Sequence, residues 1–363
     1  MKKKSILFVS DIPNWAYHYI IKTWVETIYT DYDCFIAFAK DFSIRPKEYS
    51  YMDVIKNRLG FLLKNSYPKF YIHPSRKYSY PIYRQNPVYD AISMRPVDKV
   101  HFDAMIIMEC YLQFTAELPF TADKTFVGLY TDSYPHEGPS YDFKNNIDLT
   151  KLSREEFFDK YISKNDGLIV GNYNLYNDYK NFNFPIKISN AVYKADQFIE
   201  NKNVGKNKTL TIGWTGNPNR EMKGFRNIIE PAIKELQAER LDIQLKTKFS
   251  GSYEDLLSFY QDIDLVCIAS SSDTGPSLFS DASLCSVPTV STRIGFPNTV
   301  IKDGENGLFI ERNKEDLKTA IKQLYNDRNL LQSFSSRIKE DYLKFFNNEL
   351  FINNLREFLS ASL

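Results

Sequence analysis

The sequence predicts an α/β protein built from two doubly wound domains, each a parallel sheet flanked by helices. Three observations predict it. Short apolar runs of strand length alternate with helical segments through the first half of the chain. The alternation restarts after the polar stretch Glu200–Lys208. The length, 363 residues, matches two domains of ordinary size.

The elements follow in order. Ile6–Val9 reads as a first buried strand, and Tyr17–Ile28 as a helix with Tyr17, Ile20, Ile21, Trp24 and Ile28 near one face. Cys34–Phe38, Ala104–Met108, Phe126–Leu129 and Gly167–Val170 are further short apolar runs. Ligands of doubly wound sheets bind beyond the carboxyl ends of such strands. Glu200–Lys208 is polar and contains Gly205, which reads as an interdomain linker. In the second half Leu210–Ile212, Leu241–Leu245 and Leu265–Ile268 are strands. Asn227–Leu236 has helical spacing, with Pro231 in its first turn or at a kink. Glu315–Leu324 is an amphipathic helix, and the tail Tyr342–Leu359 carries five aromatics.

A composition of 43% hydrophobic and 15% aromatic residues supplies ample core, and a mean hydropathy of −0.40 excludes a polytopic membrane protein. The net charge of +1 selects no partner. Lys2, Lys3 and Lys4 look like the start of a signal peptide, but Ser5–Val9 is too short an apolar core and Asp11 follows it. The start is therefore read as a strand of a cytoplasmic protein. Cys34, Cys110, Cys267 and Cys285 are scattered without metal-ligand spacing and read as reduced core residues.

Ala269–Ile310 is the most informative stretch. Asp273 and Asp281 are separated by seven residues and bracket Gly275-Pro276-Ser277; a Val-Pro-Thr-Val strand and the turn Asp303–Gly307 follow. This order and spacing resembles the donor-binding segment of retaining glycosyltransferases of family 4. The resemblance implies the GT-B fold, two Rossmann-like domains facing a cleft, with Asp273 and Asp281 standing for the family's acid pair. Ile188–Val192 resembles the end of that family's first domain, and the aromatic tail its helix returning to the first domain. The implied division is 1–188 for the acceptor side, 189–340 for the nucleotide sugar, and 341–363 for the returning helix.

The residues support such a site. Pro276 or Ser277 can open a helix whose free N–H groups attract a pyrophosphate. Asp281, a turn inside, would accept hydrogen bonds from a ribose diol, and Asp273 would reach the donor sugar. Read alone, Asp273 is an N-cap and Asp281 a solvated helix residue.

Ile212–Phe225 occupies the place of the family's phosphate-binding strand and loop. Lys223-Gly224 matches, whereas Asn217 follows Gly216 where the family has arginine, and Arg220 is the substitute cation. Fixed cations lower the barrier to expelling a diphosphate; the alternative is a solvated loop. Gly128–His136 resembles a segment that carries a His-Asp pair near the donor sugar. Asp132 holds the acid position, Thr131 replaces the histidine, and His136 lies four residues on. Asp11–His18 stands where the family has a Gly-rich loop but contains no glycine. Asn14 and Trp15 either line the cleft or, in Trp15's case, pack in the core.

Between Arg45 and Lys99, 11 Lys/Arg face 4 Asp/Glu with 8 tyrosines interleaved. Such a surface suits an anionic acceptor, the inner face of a membrane, or nucleic acid; the alternative is a solvated face.

The resulting expectation is a retaining transferase moving a sugar from a nucleotide-diphosphate sugar, UDP-linked or otherwise, to an unidentified glycan, lipid-linked or other acceptor, with no metal or other cofactor. Asp31-Tyr32-Asp33 has the spacing of the metal motif of the other transferase fold but lacks its context. The rival readings are a non-catalytic binding module of the same fold and a nucleic-acid-modifying glycosyltransferase.

Overall fold

Two parallel sheets form wherever the sequence alternates apolar runs with helices. The computed structural model describes residues 3–42, 82–84, 101–131, 141–142, 144–249 and 254–363. In the first sheet are β1 (Lys4–Ser10), β2 (Tyr32–Phe38), β3 (Ile82–Arg84), β4 (His101–Ile107), β5 (Thr121–Leu129), β8 (Gly167–Val170) and β9 (Ile186–Ile188). The strand order is β3-β2-β1-β4-β5-β8-β9. All of these pairings are parallel except β3 on β2. β6 (Tyr141–Asp142) and β7 (Ile147–Asp148) form a separate small hairpin.

The second sheet holds β10 (Leu210–Thr215), β11 (Ile243–Lys248), β12 (Leu265–Ile268), β13 (Thr289–Ser291) and β14 (Gly307–Phe309). Its order is β11-β10-β12-β13-β14, parallel throughout. Strand order reverses at β1/β4 in one sheet and at β10/β12 in the other. Those reversals open crevices at the carboxyl edges of the sheets, where ligands of such folds sit.

The helix Ala16–Ile28 buries Ile20, Ile21, Trp24, Val25 and Ile28 against the first sheet, with Trp24 against Phe8. The expected helix around Pro231 begins as a π turn, Phe225–Ile229, and continues as Glu230–Ala238. Pro231 lies in the first turn of the regular part, where its missing N–H costs nothing.

The aromatic tail divides into the helices Arg328–Phe345 and Asn348–Ser362. Asn347 caps the second by accepting the Leu350 N–H at 2.7 Å. This last helix packs on the first sheet: Phe358 meets Phe126 at 5.0 Å between ring centroids. The Asn354 amide donates to the Ile188 carbonyl at 2.9 Å. Asn348 both accepts the N–H and donates to the carbonyl of Val192, so the chain is stitched down where it crosses between sheets.

One expectation is corrected. Glu200–Lys208 is no linker: Asn201 and Val204 are buried in the second domain. The Asn201 amide donates to the carbonyls of Tyr260 and Ile263, and the Gly205 N–H donates to Asp264 at 2.8 Å. Asn201 satisfies buried backbone groups, while the other polar side chains of the stretch stay exposed.

Candidate active site

Two loops leave the β10/β12 reversal side by side. After β10, Gly216 takes φ +137° and lies over the Trp214 ring. The Asn217 side chain accepts the Asn219 N–H at 3.0 Å, which turns the chain. A single turn, Glu221–Lys223, ends at Gly224, whose φ of +70° is left-handed. A Cβ there would come within 2.5 Å of the Ala269 carbonyl oxygen, so only glycine lets this loop lie against the one after β12.

The second loop runs from Ala269 to Pro276. The Ser271 N–H donates to Met222 O at 2.9 Å. The Arg312 guanidinium donates to Ala269 O at 3.0 Å and Glu221 O at 3.1 Å, clasping both loops. The result is an ion pair between Lys223 and Asp273, with side chains only 22% and 15% exposed. Two residues fifty positions apart, singled out by separate motifs, thus meet at the switch point of the second sheet. Lys223 is no solvated loop residue.

Pro276 opens the helix Ser277–Leu284 without any side-chain cap, so Asp273 is not its N-cap. Gly275 lies against Phe296, and a Cβ would come within 2.6 Å of that ring. Asp281 sits inside this helix, 3% exposed, with its carboxyl facing the Tyr260 hydroxyl at 3.4 Å. The solvated alternative is excluded. Burial pushes its pKa up to about 8, against the lowering effect of the Tyr260 bond.

Arg220 lies on the exposed rim and donates to Met222 Sδ at 3.0 Å. The Asp303–Leu308 run is scaffolding. Gly304 takes φ +78°, and the buried Asn306 amide donates to Asp341 at 2.9 Å, fixing the turn to the helix Arg328–Phe345.

The first sheet contributes its own reversal, β1/β4. Asn14 takes φ +56°, a conformation asparagine tolerates, in place of the expected glycines. Its N–H donates to His18 Nδ1 at 2.9 Å. Trp15 is 55% exposed and therefore does not pack in the core. Thr131 ends the described part of the next loop; Asp132, His136 and nearly all of the basic stretch Arg45–Lys99 lie outside the described residues. Asp31 lies just before the amino end of β2 and pairs with Arg356 at 3.3 Å, so Asp31-Tyr32-Asp33 is away from the cleft.

Sequence reasoning missed Glu109. It follows β4, is fully buried, and accepts four hydrogen bonds: Tyr17 OH at 3.0 Å, Tyr130 N at 2.9 Å, Thr131 Oγ1 at 3.2 Å and Cys110 N at 3.1 Å. It thereby ties the first helix to the loop that leads into Asp132. Burial raises its pKa to about 7 even though all four donors favour the ionised form. An acid directly after a buried strand run at a sheet reversal was the available signal. Arg312 was also missed, because a charged residue just before an amphipathic helix reads as surface.

Residues 227–341 match the family described as Glycosyl transferases group 1, a segment containing both Asp273 and Asp281. An uncharacterized glycosyltransferase of Methanocaldococcus jannaschii is 30% identical over 26% of this chain and 27% of its own. The lipopolysaccharide core biosynthesis glycosyltransferase LpsE of Rhizobium meliloti is 26% identical over 34% of this chain and 37% of its own. The matches thus span only about a quarter and a third of those relatives. HepE of Anabaena, solved in complex with UDP and glucose, superposes with a TM-score of 0.60 at 11% identity, covering 99% of this chain and 100% of its own. The expected GT-B architecture is borne out. Among the described residues no helix is long and apolar enough to cross a membrane.

Proposed function

We propose that the protein transfers a glycosyl group from a nucleotide-diphosphate sugar to an acceptor hydroxyl, with retention of anomeric configuration. The observation that carries this reading is the Lys223–Asp273 pair at the β10/β12 switch point, with Asp273 lying within a segment that matches group 1 glycosyltransferases. In this reading the diphosphate lies at the start of the helix Ser277–Leu284, where backbone N–H groups and the helix dipole favour negative charge. Gly216, Asn217, Gly275 and Pro276 shape its bed, with Arg220 at the rim. Lys223 leaves Asp273 for the diphosphate, and Asp273 is freed to accept from a sugar hydroxyl. Asp281 accepts from the ribose hydroxyls.

The bond from the anomeric carbon to the diphosphate oxygen breaks and a bond to the acceptor oxygen forms. The acceptor's proton passes to the departing diphosphate, and Lys223 stabilises the charge that develops there. This chemistry calls on no metal or organic cofactor. Asp132 is assigned to the sugar side of the cleft by its motif alone. A cytoplasmic location, where nucleotide sugars are made, and an acceptor that is anionic or presented at a membrane belong to the same reading.

The test is turnover of UDP-, GDP-, ADP- and TDP-linked sugars, with water as the default acceptor, and the anomer released followed by proton NMR. Release of the donor's own anomer supports the reading. An inverted product would remove retention, and binding without any hydrolysis or transfer across a broad acceptor panel would favour the non-catalytic module.

A further inference from the structure

We propose that Asn172 is a positioning residue that couples the first domain to the loop carrying Asp273. It follows β8 and is fully buried. Its Oδ1 accepts the Leu175 N–H at 2.8 Å, capping the helix Tyr173–Tyr179. Its Nδ2 donates across the domain boundary to the Thr274 carbonyl at 3.0 Å. The same carbonyl accepts the Phe296 N–H at 3.0 Å from within its own domain. Both lone pairs of that oxygen are therefore used, and the peptide next to Asp273 is held from both sides of the cleft.

The surroundings leave this peptide little freedom. A Cβ on Gly295 would stand 1.9 Å from Thr274 O and 2.2 Å from Asp273 O. A Cβ on Gly171 would meet Thr274 Cγ2 at 3.2 Å and the Tyr130 ring at 2.6 Å. The first-domain side is anchored in turn: the Asn190 amide donates to Gly171 O at 3.0 Å, and the Trp24 indole donates to Asn190 O at 3.0 Å. Tyr173 packs on Phe345 and Phe346 of the second domain. A chain of buried bonds thus runs from the core helix of the first domain to the backbone of the Asp273 loop. Several residues can cap a helix, but the asparagine amide also carries a donor that reaches Thr274.

The consequence for turnover rests on the transferase reading; the structural coupling does not. The two are separated by measuring both. Asn172→Ser keeps a capping oxygen and loses the long amide donor. Hydrogen exchange of the free variant should speed up at residues 270–277 by about fivefold, the loss of about one hydrogen bond's protection, while 173–179 exchanges as in wild type. With UDP-glucose, GDP-mannose and ADP-glucose as probes, hydrolytic kcat should fall about tenfold while KM stays within about twofold, the split expected of lost positioning. If Asn172→Ser melts too low to assay, Asn172→Asp, which also caps, replaces it. Wild-type exchange at 270–277 in a folded variant overturns the coupling. A wild-type protein that hydrolyses none of the three probes counts against the transferase reading, and the exchange result still decides the role of Asn172.

Discussion

Replacing Lys223 by alanine separates the two things its ammonium does. In the free protein it neutralises Asp273 in a setting where the side chains are 22% and 15% exposed. Exposed pairs contribute about 0–1 kcal/mol, whereas breaking a fully buried pair costs about 3–5 kcal/mol. A pair this far from solvent falls between, so Lys223→Ala should cost about 1–2 kcal/mol of stability. Removing Asp273 as well should restore part of that loss, because the carboxylate no longer sits uncompensated. The catalytic effect is larger. Loss of a fixed cation aimed at the leaving diphosphate should lower turnover by about a hundredfold or more, roughly 2.7 kcal/mol of barrier. Denaturant unfolding of the wild type, both single variants and the double variant gives the first quantity; donor hydrolysis by the folded fraction gives the second. Normal turnover in folded Lys223→Ala would refute the assignment, and strict additivity in the cycle would refute the pairing.

Asp281 should link nucleotide binding to pH. Its carboxyl holds a proton up to about pH 8, and the ionised form is the stronger acceptor for a ribose diol, so UDP affinity should tighten as pH rises from 7 to 9. Asp281→Asn should weaken binding by about 1.5–3 kcal/mol at pH 9 and abolish the trend; calorimetric titration showing flat, equal affinities would remove the ribose assignment. Glu109 should shape stability: its folded pKa, about 7, lies above the ordinary 4.5. The folded protein therefore keeps a proton that the unfolded chain releases, and this contribution, complete below pH 4.5, is lost as pH rises through 7. Glu109→Gln should flatten that decline in denaturant midpoints, and an unaltered pH profile would contradict it. Phe358→Ala, which empties the contact with Phe126, should cost about 3–5 kcal/mol and loosen the last helix in hydrogen exchange, whereas a loss under 1 kcal/mol would show that the helix is held by its polar bonds.

Much of the scaffold was legible because parallel strands buried on both faces read as continuous apolar runs, as Ile6–Val9 and Leu265–Ile268 do. Helices with one apolar stripe, such as Ala16–Ile28, were equally plain. Asp273 and Lys223 were found through motif spacing, but nothing local in sequence reports that they pair. That contact exists because Gly224 lets two loops approach and Arg312 clasps them. The edge strand Ile82–Arg84 was missed because three residues carry no periodic signal, and its partner β2 lies more than forty residues earlier. Glu200–Lys208 was misread because nothing in composition sets the buried Asn201 apart from the solvated polar residues beside it. Asn14 shows the same limit in another form, since the left-handed position expected of glycine is filled by a residue that tolerates it.

The most direct test is binding of UDP, GDP, ADP and TDP to the wild type and to Lys223→Ala, read by thermal unfolding at rising nucleotide concentration. One of the four should stabilise the wild type progressively, by about 2.7 kcal/mol at a hundred times its dissociation constant, and should stabilise Lys223→Ala markedly less. Equal stabilisation of both proteins, or none by any nucleotide, would contradict the placement of a donor diphosphate at the Lys223–Asp273 pair.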